Sequence, residues 1–141
     1  MAEVALEIEI VTPEHKVYSG FASFAVFPGA EGELGIMPGH APLLSQLRLG
    51  EVKIVTPKST EYCIVSDGFI EIRQNHISVV AGYAEHARNI DPREAEVRRD
   101  SALKERDEAR TDDARSAAEA KLKKAILRLS AAQKSAASTS R

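Results

Sequence analysis

The side chains best suited to catalysis are few in this 141-residue chain, and they are widely spaced. A nucleophilic triad needs a hydroxyl or thiol, a histidine and a carboxylate that converge. Ser45 and Asp67 can be drawn into such a set with a histidine, but no spacing supports it. The four histidines show no metal-ligand spacing, and Cys63 is the only cysteine. The sequence therefore predicts neither an enzyme nor a metal site.

A segment rich in glycine and proline, residues 29–44, is the strongest candidate for a binding function. It reads Gly-Ala-Glu-Gly-Glu-Leu-Gly-Ile-Met-Pro-Gly-His-Ala-Pro-Leu-Leu, and it matches no phosphate-binding loop. Its glycines and prolines impose a tight, irregular backbone on which Glu31, Glu33 and His40 are the polar groups. One interpretation is a turn-rich crossover. The other is a docking loop, since binding residues concentrate on loops that a scaffold holds.

The elements that would position this loop belong to the first of two compositional halves. All eight glycines and all seven aromatic residues lie before residue 88, whereas residues after Pro92 are mostly alanine and charged. Residues 1–90 carry six basic against 11 acidic side chains, and residues 91–141 carry 13 against 10. Mixed charges of this kind argue against nucleic acid as a partner. The arm also lacks the aromatic side chains on which single-stranded RNA would stack.

Residues 1–88 alternate apolar and polar side chains in short runs separated by turn residues, which predicts an antiparallel β-sandwich. Leu6, Ile8 and Ile10 form the first such run. Asp67-Gly68 and Gln74-Asn75 both have the composition of two-residue hairpin turns. Counting each run between turns as one strand gives nine or ten strands.

Residues 89–141 are predicted to form a two-helix hairpin. Asp91 is the expected N-cap of the first helix, Pro92 its first residue, and Glu94 the third residue of a capping box. The second helix is expected from about Ala114 to Ala132, and Ser135–Arg141 are expected to be frayed. Its apolar stripe is mostly alanine, so the two helices should hold each other weakly. The predicted apolar stripe of this second helix comprises Ala118, Leu122, Ala125, Ile126 and Leu129.

The chain resembles the ε subunit of rotary F-type ATP synthases of the bacterial type. The resemblance covers nearly the whole chain and includes the two-helix C-terminus. It is carried by Val11-Thr12-Pro13, Tyr18-Ser19-Gly20, Glu31-Gly-Glu-Leu-Gly-Ile, Pro38-Gly-His-Ala-Pro-Leu and Ser66-Asp67-Gly68-Phe69-Ile70-Glu71. It implies a ten-stranded sandwich that binds the γ subunit and the c-subunit ring, and a hairpin that can fold or extend. The subunit would be non-catalytic and would couple ring rotation to the catalytic head.

The resemblance also implies roles for particular residues. Glu31, Glu33 and His40 would face the c ring. When extended, the hairpin would contact the α and β subunits and block ATP hydrolysis. The basic residues expected to make that contact are Arg110, Arg115, Lys121, Lys123, Lys124 and Arg128; without the resemblance they would be interpreted as a solvated helix face.

Some members of this family bind ATP at Ile/Leu-Asp-x-x-Arg-Ala. The corresponding residues here are Ile90, Asp91, Arg93 and Ala95, but Glu94 occupies the place of the arginine. Arg93 lies one residue early, which on a helix is a rotation of about 100°. The sequence therefore predicts weak or absent ATP binding and no other cofactor.

The sequence has no signal peptide and no apolar run long enough to span a membrane. A single cysteine is consistent with a reducing compartment. With the resemblance, these features place the protein peripherally at the cytoplasmic face of the bacterial plasma membrane. The alternative hypothesis is a free nucleotide-sensing or interaction module outside a rotary motor. A small hydrolase is disfavoured because no acid, base and nucleophile converge.

Overall fold

The computed structural model describes residues 5–139. The described chain divides into two compact units between His86 and Ala87. This division lies two residues before the boundary expected from composition. Residues 1–4, the N-terminus in which no signal peptide is expected, lie outside the described residues.

The first unit consists of eight strands in its described part. Its strands are β1 Leu6–Val11, β2 Lys16–Ala22, β3 Phe24–Gly29, β4 Gly32–Ile36, β5 Leu43–Leu47, β6 Gly50–Val55, β7 Thr60–Arg73 and β8 His76–His86. The hydrogen-bonded order is β2-β1-β8-β7-β5-β3-β4, and β6 pairs with both β3 and β7. The ring of pairings β3–β6–β7–β5 closes part of this sandwich. Neighbouring strands are antiparallel except β1 and β8.

Alternation of side chains along the strands explains where the core lies. Leu6, Ile8 and Ile10 of β1 are fully buried, as the period-2 pattern predicts. Ile70 and Ile72 of β7 and Ile77 and Val79 of β8 fill the same core. The intervening residues of these strands form the outer face of the sheet.

The expected count of ten strands is not confirmed. The described residues form eight, because two breaks expected between strands, at Asp67-Gly68 and at residues 81–82, lie inside the continuous strands β7 and β8. Asp67 has a positive φ of 58°, yet the register of β7 against β8 is unchanged, with Ser66 opposite Tyr83 and Gly68 opposite Ala81. A Cβ on Gly68 would lie 2.7 Å from the Cα of Ala81, so the two strands approach closely there. Asp67-Gly68 is therefore a bend in one long strand.

The second predicted hairpin turn is confirmed. Gln74 and Asn75 have φ values of 48° and 65°, and they join β7 to β8 directly. Positive φ at both central residues is the geometry that matches the twist of a two-residue hairpin.

The second unit begins with a short 3-10 helix, Ala87–Asn89, followed by α1 Pro92–Glu108 and α2 Asp112–Thr139. Asp91 caps α1 by accepting the N–H of Arg93 at 2.9 Å. Thr111 caps α2 by accepting the N–H of Ala114 at 3.0 Å. Thus α2 continues seven residues beyond the expected end at Ala132, because nothing between Ala132 and Thr139 breaks a helix. The fraying expected for Ser140 and Arg141 lies outside the described residues.

Small side chains dominate the core of the hairpin. Its buried residues include Ala95 and Ala102 of α1, and Ala118, Leu122, Ala125 and Leu129 of α2. Ile126 was expected in the α2 stripe, but its side chain is 48% exposed. It lies one residue after Ala125 and is therefore rotated about 100° from the buried stripe.

Candidate functional site

The acidic part of the candidate docking segment lies at the β3–β4 hairpin. Glu31 is exposed in the turn, and Glu33 is exposed on β4, the last strand of the pairing order. The preceding Ala30 donates its N–H to the carbonyl of Gln46 at 2.9 Å. Glu31 is therefore held beside the C-terminal end of β5.

His40 lies in the loop of residues 37–42, between β4 and β5. Its N–H donates to the carbonyl of Met37 at 3.2 Å, which closes a tight turn around Pro38 and Gly39. Its ring Nδ1 lies 2.7 Å from the carbonyl of Ala41, so the tautomer protonated at Nδ1 donates there. This hydrogen bond fixes the orientation of the imidazole of His40, which is half-buried.

The structure does not bring Glu31 and His40 into one cluster. The loop that carries His40 is bonded through Gly39 to Asn75, close to where Leu43 of β5 pairs with Ile72. Glu31 lies at the other end of β5. Five residues of strand span about 13 Å, so these polar groups are spread along one edge of the sandwich.

An apolar patch on the outer face of the sheet was not predicted. Phe69 of β7 and Val80 of β8 are direct cross-strand partners and are 52% and 56% exposed. Leu44 of β5 is diagonal to Phe69 and 68% exposed. The alternation of Phe69 with the core residues Ile70 and Ile72 could have identified it as an outward-facing side chain. Neighbouring exposed apolar residues of this kind mark interaction surfaces.

The residues of the degenerate nucleotide motif have structural positions in the hairpin. Ile90 and Ala95 are buried, Asp91 is the N-cap, and the side chain of Arg93 is exposed. Glu94 is half-buried and faces α2. Arg93 and Glu94 are consecutive on the helix, yet the arginine faces outward and the carboxylate faces α2.

The inward carboxylate of Glu94 is bound by two arginines. Arg128 of α2 donates from Nη1 to Oε1 at 3.4 Å and from Nη2 to Oε2 at 3.3 Å. Arg98, one turn along α1, also pairs with Oε1. Arg128 is 7% exposed and is the buried charged side chain among the described residues. Neither partner of Glu94 was predicted, although Arg98 stands at the i+4 spacing of a helical ion pair.

A groove of about 340 Å³ lies between α1 and α2 beside this ion pair. Its lining residues are Arg98, Ser101, Ala102, Glu105, Lys121, Lys124, Ala125 and Arg128. Four cationic side chains therefore face one opening. Lys121 already pairs with Glu105 across the helices at 3.1 Å, and Arg128 with Glu94. The groove contains its own counter-charges.

The basic residues expected to meet the catalytic head have different environments. Arg110, Arg115 and Lys123 are exposed, and Lys124 is half-buried. Arg115 pairs with Glu119 one turn later at 3.2 Å. Arg128 is buried and paired with Glu94, so it could contact the catalytic head only after that pair breaks. The exposed residues of this set have no such requirement.

Cys63 is buried in the sandwich and is not arranged for nucleophilic chemistry. Burial, with a smaller contribution from the carboxylate of Glu61, raises the pKa of the Cys63 thiol to about 12. The thiolate is the reactive form of cysteine, so this thiol is inert near neutral pH. Glu61 itself pairs with Nε2 of His86 at 3.0 Å.

Within residues 5–139, no helix is both long enough and apolar enough to cross a membrane.

Comparison with known proteins identifies the family. Residues 5–87 match the family model for the ATP synthase delta/epsilon chain β-sandwich domain. The ATP synthase epsilon chain of Acidithiobacillus ferridurans is 40% identical over 136 residues, which are 93% of both chains. That of Pelotomaculum thermopropionicum is 44% identical over 99 residues, which are 70% of this chain and 74% of the relative.

A solved structure shares the fold. A chain of the Euglena gracilis mitochondrial ATP synthase, solved as OSCP/F1/c-ring in rotational state 1, superposes with a TM-score of 0.73. The match covers 94% of this chain and 81% of the other, at 15% identity. The match of the family model to the sandwich, and the 40% identity to the Acidithiobacillus ferridurans relative over both the sandwich and the helices, show that this chain belongs to the ATP synthase epsilon chain family.

Proposed function

We propose that this subunit couples rotation of the c-subunit ring to the catalytic head of an F-type ATP synthase and restrains ATP hydrolysis through its helical hairpin. The observation that carries the proposal is family membership over both units, together with an exposed loop segment in the sandwich. The subunit itself is non-catalytic. It would act peripherally at the cytoplasmic face of the bacterial plasma membrane.

The ring contact is assigned to Glu33 and His40, with Glu31 at the margin. All three are solvent-accessible; the β3–β4 hairpin carries Glu31 and Glu33, and the β7–β8 turn holds the loop of His40 through Asn75. The two carboxylates favour a polar partner surface with basic groups. The spread of these groups along one edge suits contact with a repeating ring better than binding of one small ligand.

The γ contact is assigned to the apolar patch of Leu44, Phe69 and Val80. These exposed side chains lie on the outer face of three neighbouring strands, with Phe69 directly opposite Val80 and diagonal to Leu44. The core of a stable protein interface is depleted in charge and enriched in aromatic residues. A permanent shaft subunit is a partner that would cover such a patch.

Substitution of Phe69 by Asp tests this assignment. We expect the variant to lose at least tenfold in affinity for γ, because a carboxylate would be desolvated at the patch centre. Phe21→Asp is the matched control, since Phe21 is also exposed but lies on β2, three strands away in the pairing order. Equal γ binding by both variants would contradict the assignment.

The inhibitory role is assigned to the hairpin. Its mostly alanine core buries few methylenes, so the folded and extended forms can be close in free energy. As an extended rod, α2 with its 28 residues would reach about 42 Å. Five cations of the hairpin would then meet acidic surfaces of the α and β subunits: Arg110 in the link between the helices, and Arg115, Lys121, Lys123 and Lys124 on α2.

Deletion of the hairpin tests the inhibitory role. We expect removal of residues 91–141 to raise ATP hydrolysis by the assembled complex while γ and the sandwich still co-purify. An unchanged rate of ATP hydrolysis would contradict the proposed inhibitory role, whereas the proposed coupling role would be unaffected. The alternative, a nucleotide-sensing module outside a motor, predicts nucleotide binding by the isolated chain without affinity for γ.

ATP is proposed not to be a cofactor. The position that the family motif gives to arginine holds Glu94, and that carboxylate pairs with Arg98 and Arg128. A phosphate entering the groove would have to compete with Glu94 for both guanidinium groups. Submillimolar ATP affinity by calorimetry would overturn this proposal.

A further inference from the structure

The turn between β7 and β8 contains a side chain with more contacts than a turn requires. Gln74 and Asn75 both have positive φ, which asparagine tolerates better than most residues. The Oδ1 atom of Asn75 accepts the N–H of Gly39 at 2.6 Å, from a residue 36 positions away in sequence. Its main-chain carbonyl accepts the N–H of Glu7 at 2.8 Å.

Asn75 therefore joins three segments of the sandwich. It closes the β7–β8 hairpin, meets the beginning of β1 and holds the loop of residues 37–42. That loop carries the exposed Met37 and the half-buried His40. Two further hydrogen bonds of the loop are local, from the N–H of His40 to Met37 and between its ring and Ala41. The bond to Asn75 is the one of these three that relates the loop to another hairpin.

The backbone of the loop makes this external bond consequential. Gly39 has a φ of 90°. Glycine adopts this conformation and many other backbone conformations freely, so Gly39 does not by itself hold the loop in one arrangement. A loop closed only by local bonds could turn as a unit about Ile36 and Leu43. The bond from Gly39 to Asn75 removes that freedom at the residue next to His40.

We propose that Asn75 is a positioning residue for ring contact: its side-chain amide holds the loop so that His40 and Met37 face the c ring. This proposal rests on the proposed function, and it adds a residue that no motif of the chain identifies. The competing view is that Asn75 serves only the turn. Two substitutions separate these views.

Asn75→Gly keeps the positive φ and removes the acceptor. Asn75→Asp keeps an oxygen acceptor and also tolerates positive φ. Melting temperatures of the full-length variants establish that each is folded. Hydrogen exchange of the Gly39 amide then reports the anchor bond directly. We expect exchange to be roughly fivefold faster or more in Asn75→Gly and near wild type in Asn75→Asp. The amide of Ile77, in the core of β8, should be unchanged in both variants.

Binding of the γ-containing subcomplex to purified c rings gives the second measurement. We expect roughly fivefold weaker ring binding for Asn75→Gly, rescue by Asn75→Asp, and weaker binding for His40→Ala and Glu33→Gln. Unchanged exchange of Gly39 in Asn75→Gly would overturn the anchor. Faster exchange with normal ring binding, while His40→Ala weakens it, would reduce Asn75 to a turn residue. Normal ring binding by both His40→Ala and Glu33→Gln would instead overturn the ring contact in the proposed function, and with it the positioning role.

Discussion

Glu94 and Arg128 form a two-fold hydrogen bond between α1 and α2, with N–O distances of 3.4 and 3.3 Å. Arg128 is buried, and it lines the groove between the two helices together with Ala102 and Ala125. A desolvated guanidinium depends strongly on its counter-charge, and the paired geometry fixes the relative position of the two helices. This ion pair therefore stabilises the folded hairpin more specifically than the apolar contacts do.

Loss of the Arg128 charge should favour the extended hairpin. We expect Arg128→Met, which keeps the long stem, to destabilise the folded hairpin by about 1–3 kcal/mol. Inhibition of ATP hydrolysis by the assembled complex should then increase. Arg106→Met is the control, because Arg106 lies outside both the groove and the set assigned to the catalytic head, and its pair with the adjacent Asp107 contributes about 1 kcal/mol or less. Decreased inhibition would show instead that Arg128 contacts the head in the extended form.

Substitution of Glu94 by Arg should create ATP affinity. The change restores Ile-Asp-x-x-Arg-Ala and removes the carboxylate that competes with phosphate in the groove. We expect ATP to bind roughly tenfold more tightly or better, because a repulsive charge becomes attractive near the triphosphate. Without ATP the variant hairpin should melt earlier, since its new charge would oppose Arg98 and Arg128. Calorimetry measures the affinity, and circular dichroism measures the melting.

Glu96→Arg is the matched control for this prediction. Glu96 carries the same charge on the same helix, but it is exposed and lies outside the groove. Comparable ATP binding by both variants would show that net charge, not the position of Glu94, limits affinity.

The close approach of β7 and β8 at Gly68 predicts a steep cost for any side chain there. Gly68→Ala would place Cβ 2.7 Å from the Cα of Ala81, so the backbone must move. We expect a loss of about 1–3 kcal/mol in unfolding free energy, measured by urea denaturation. Gly35→Ala on β4 should be nearly neutral, because its Cβ would meet only the Phe24 ring at 3.6 Å. Equal losses of unfolding free energy in the two variants would show that the backbone flexibility of glycine, and not the close contact between β7 and β8, makes Gly68 necessary.

The thiol of Cys63 predicts an alkaline loss of stability. Its pKa is raised from 9.0 to about 12 by burial and, less, by Glu61, so the unfolded chain loses this proton before the folded one. The stabilising contribution is complete below pH 9 and disappears as pH rises toward 12. We expect the unfolding free energy of wild type, relative to that of Cys63→Val, to decrease across that range. Parallel pH profiles for the two proteins would contradict this.

Sequence patterns predicted local structure well where a local cause decides it. The alternation of Leu6, Ile8 and Ile10, the turn at Gln74-Asn75 and the cap at Asp91 all depend on neighbours within a few residues. Asp67-Gly68 has the composition of a turn, but the residues on both sides of it pair with β8 in one register. The prediction of two separate strands there was therefore not confirmed. Ile126 was wrongly placed in the hairpin core, because its side chain is rotated by about 100° from that of the buried Ala125.

The candidate sites divide in the same way. The family motif could identify Glu31, Glu33 and His40 as surface groups, because the sequence segment that carries them is continuous. It could not identify Asn75 beside Gly39, or Phe69 beside Val80 and Leu44, because strand register brings these residues together.

The amino-acid sequence by itself determined the two structural halves, the family and the loss of the motif arginine at Glu94, since each follows from residue type and order. Only the tertiary structure decided what Glu94 does. It shows a carboxylate held between Arg98 and Arg128, because antiparallel packing of α1 and α2 places residues 34 positions apart within hydrogen-bonding distance.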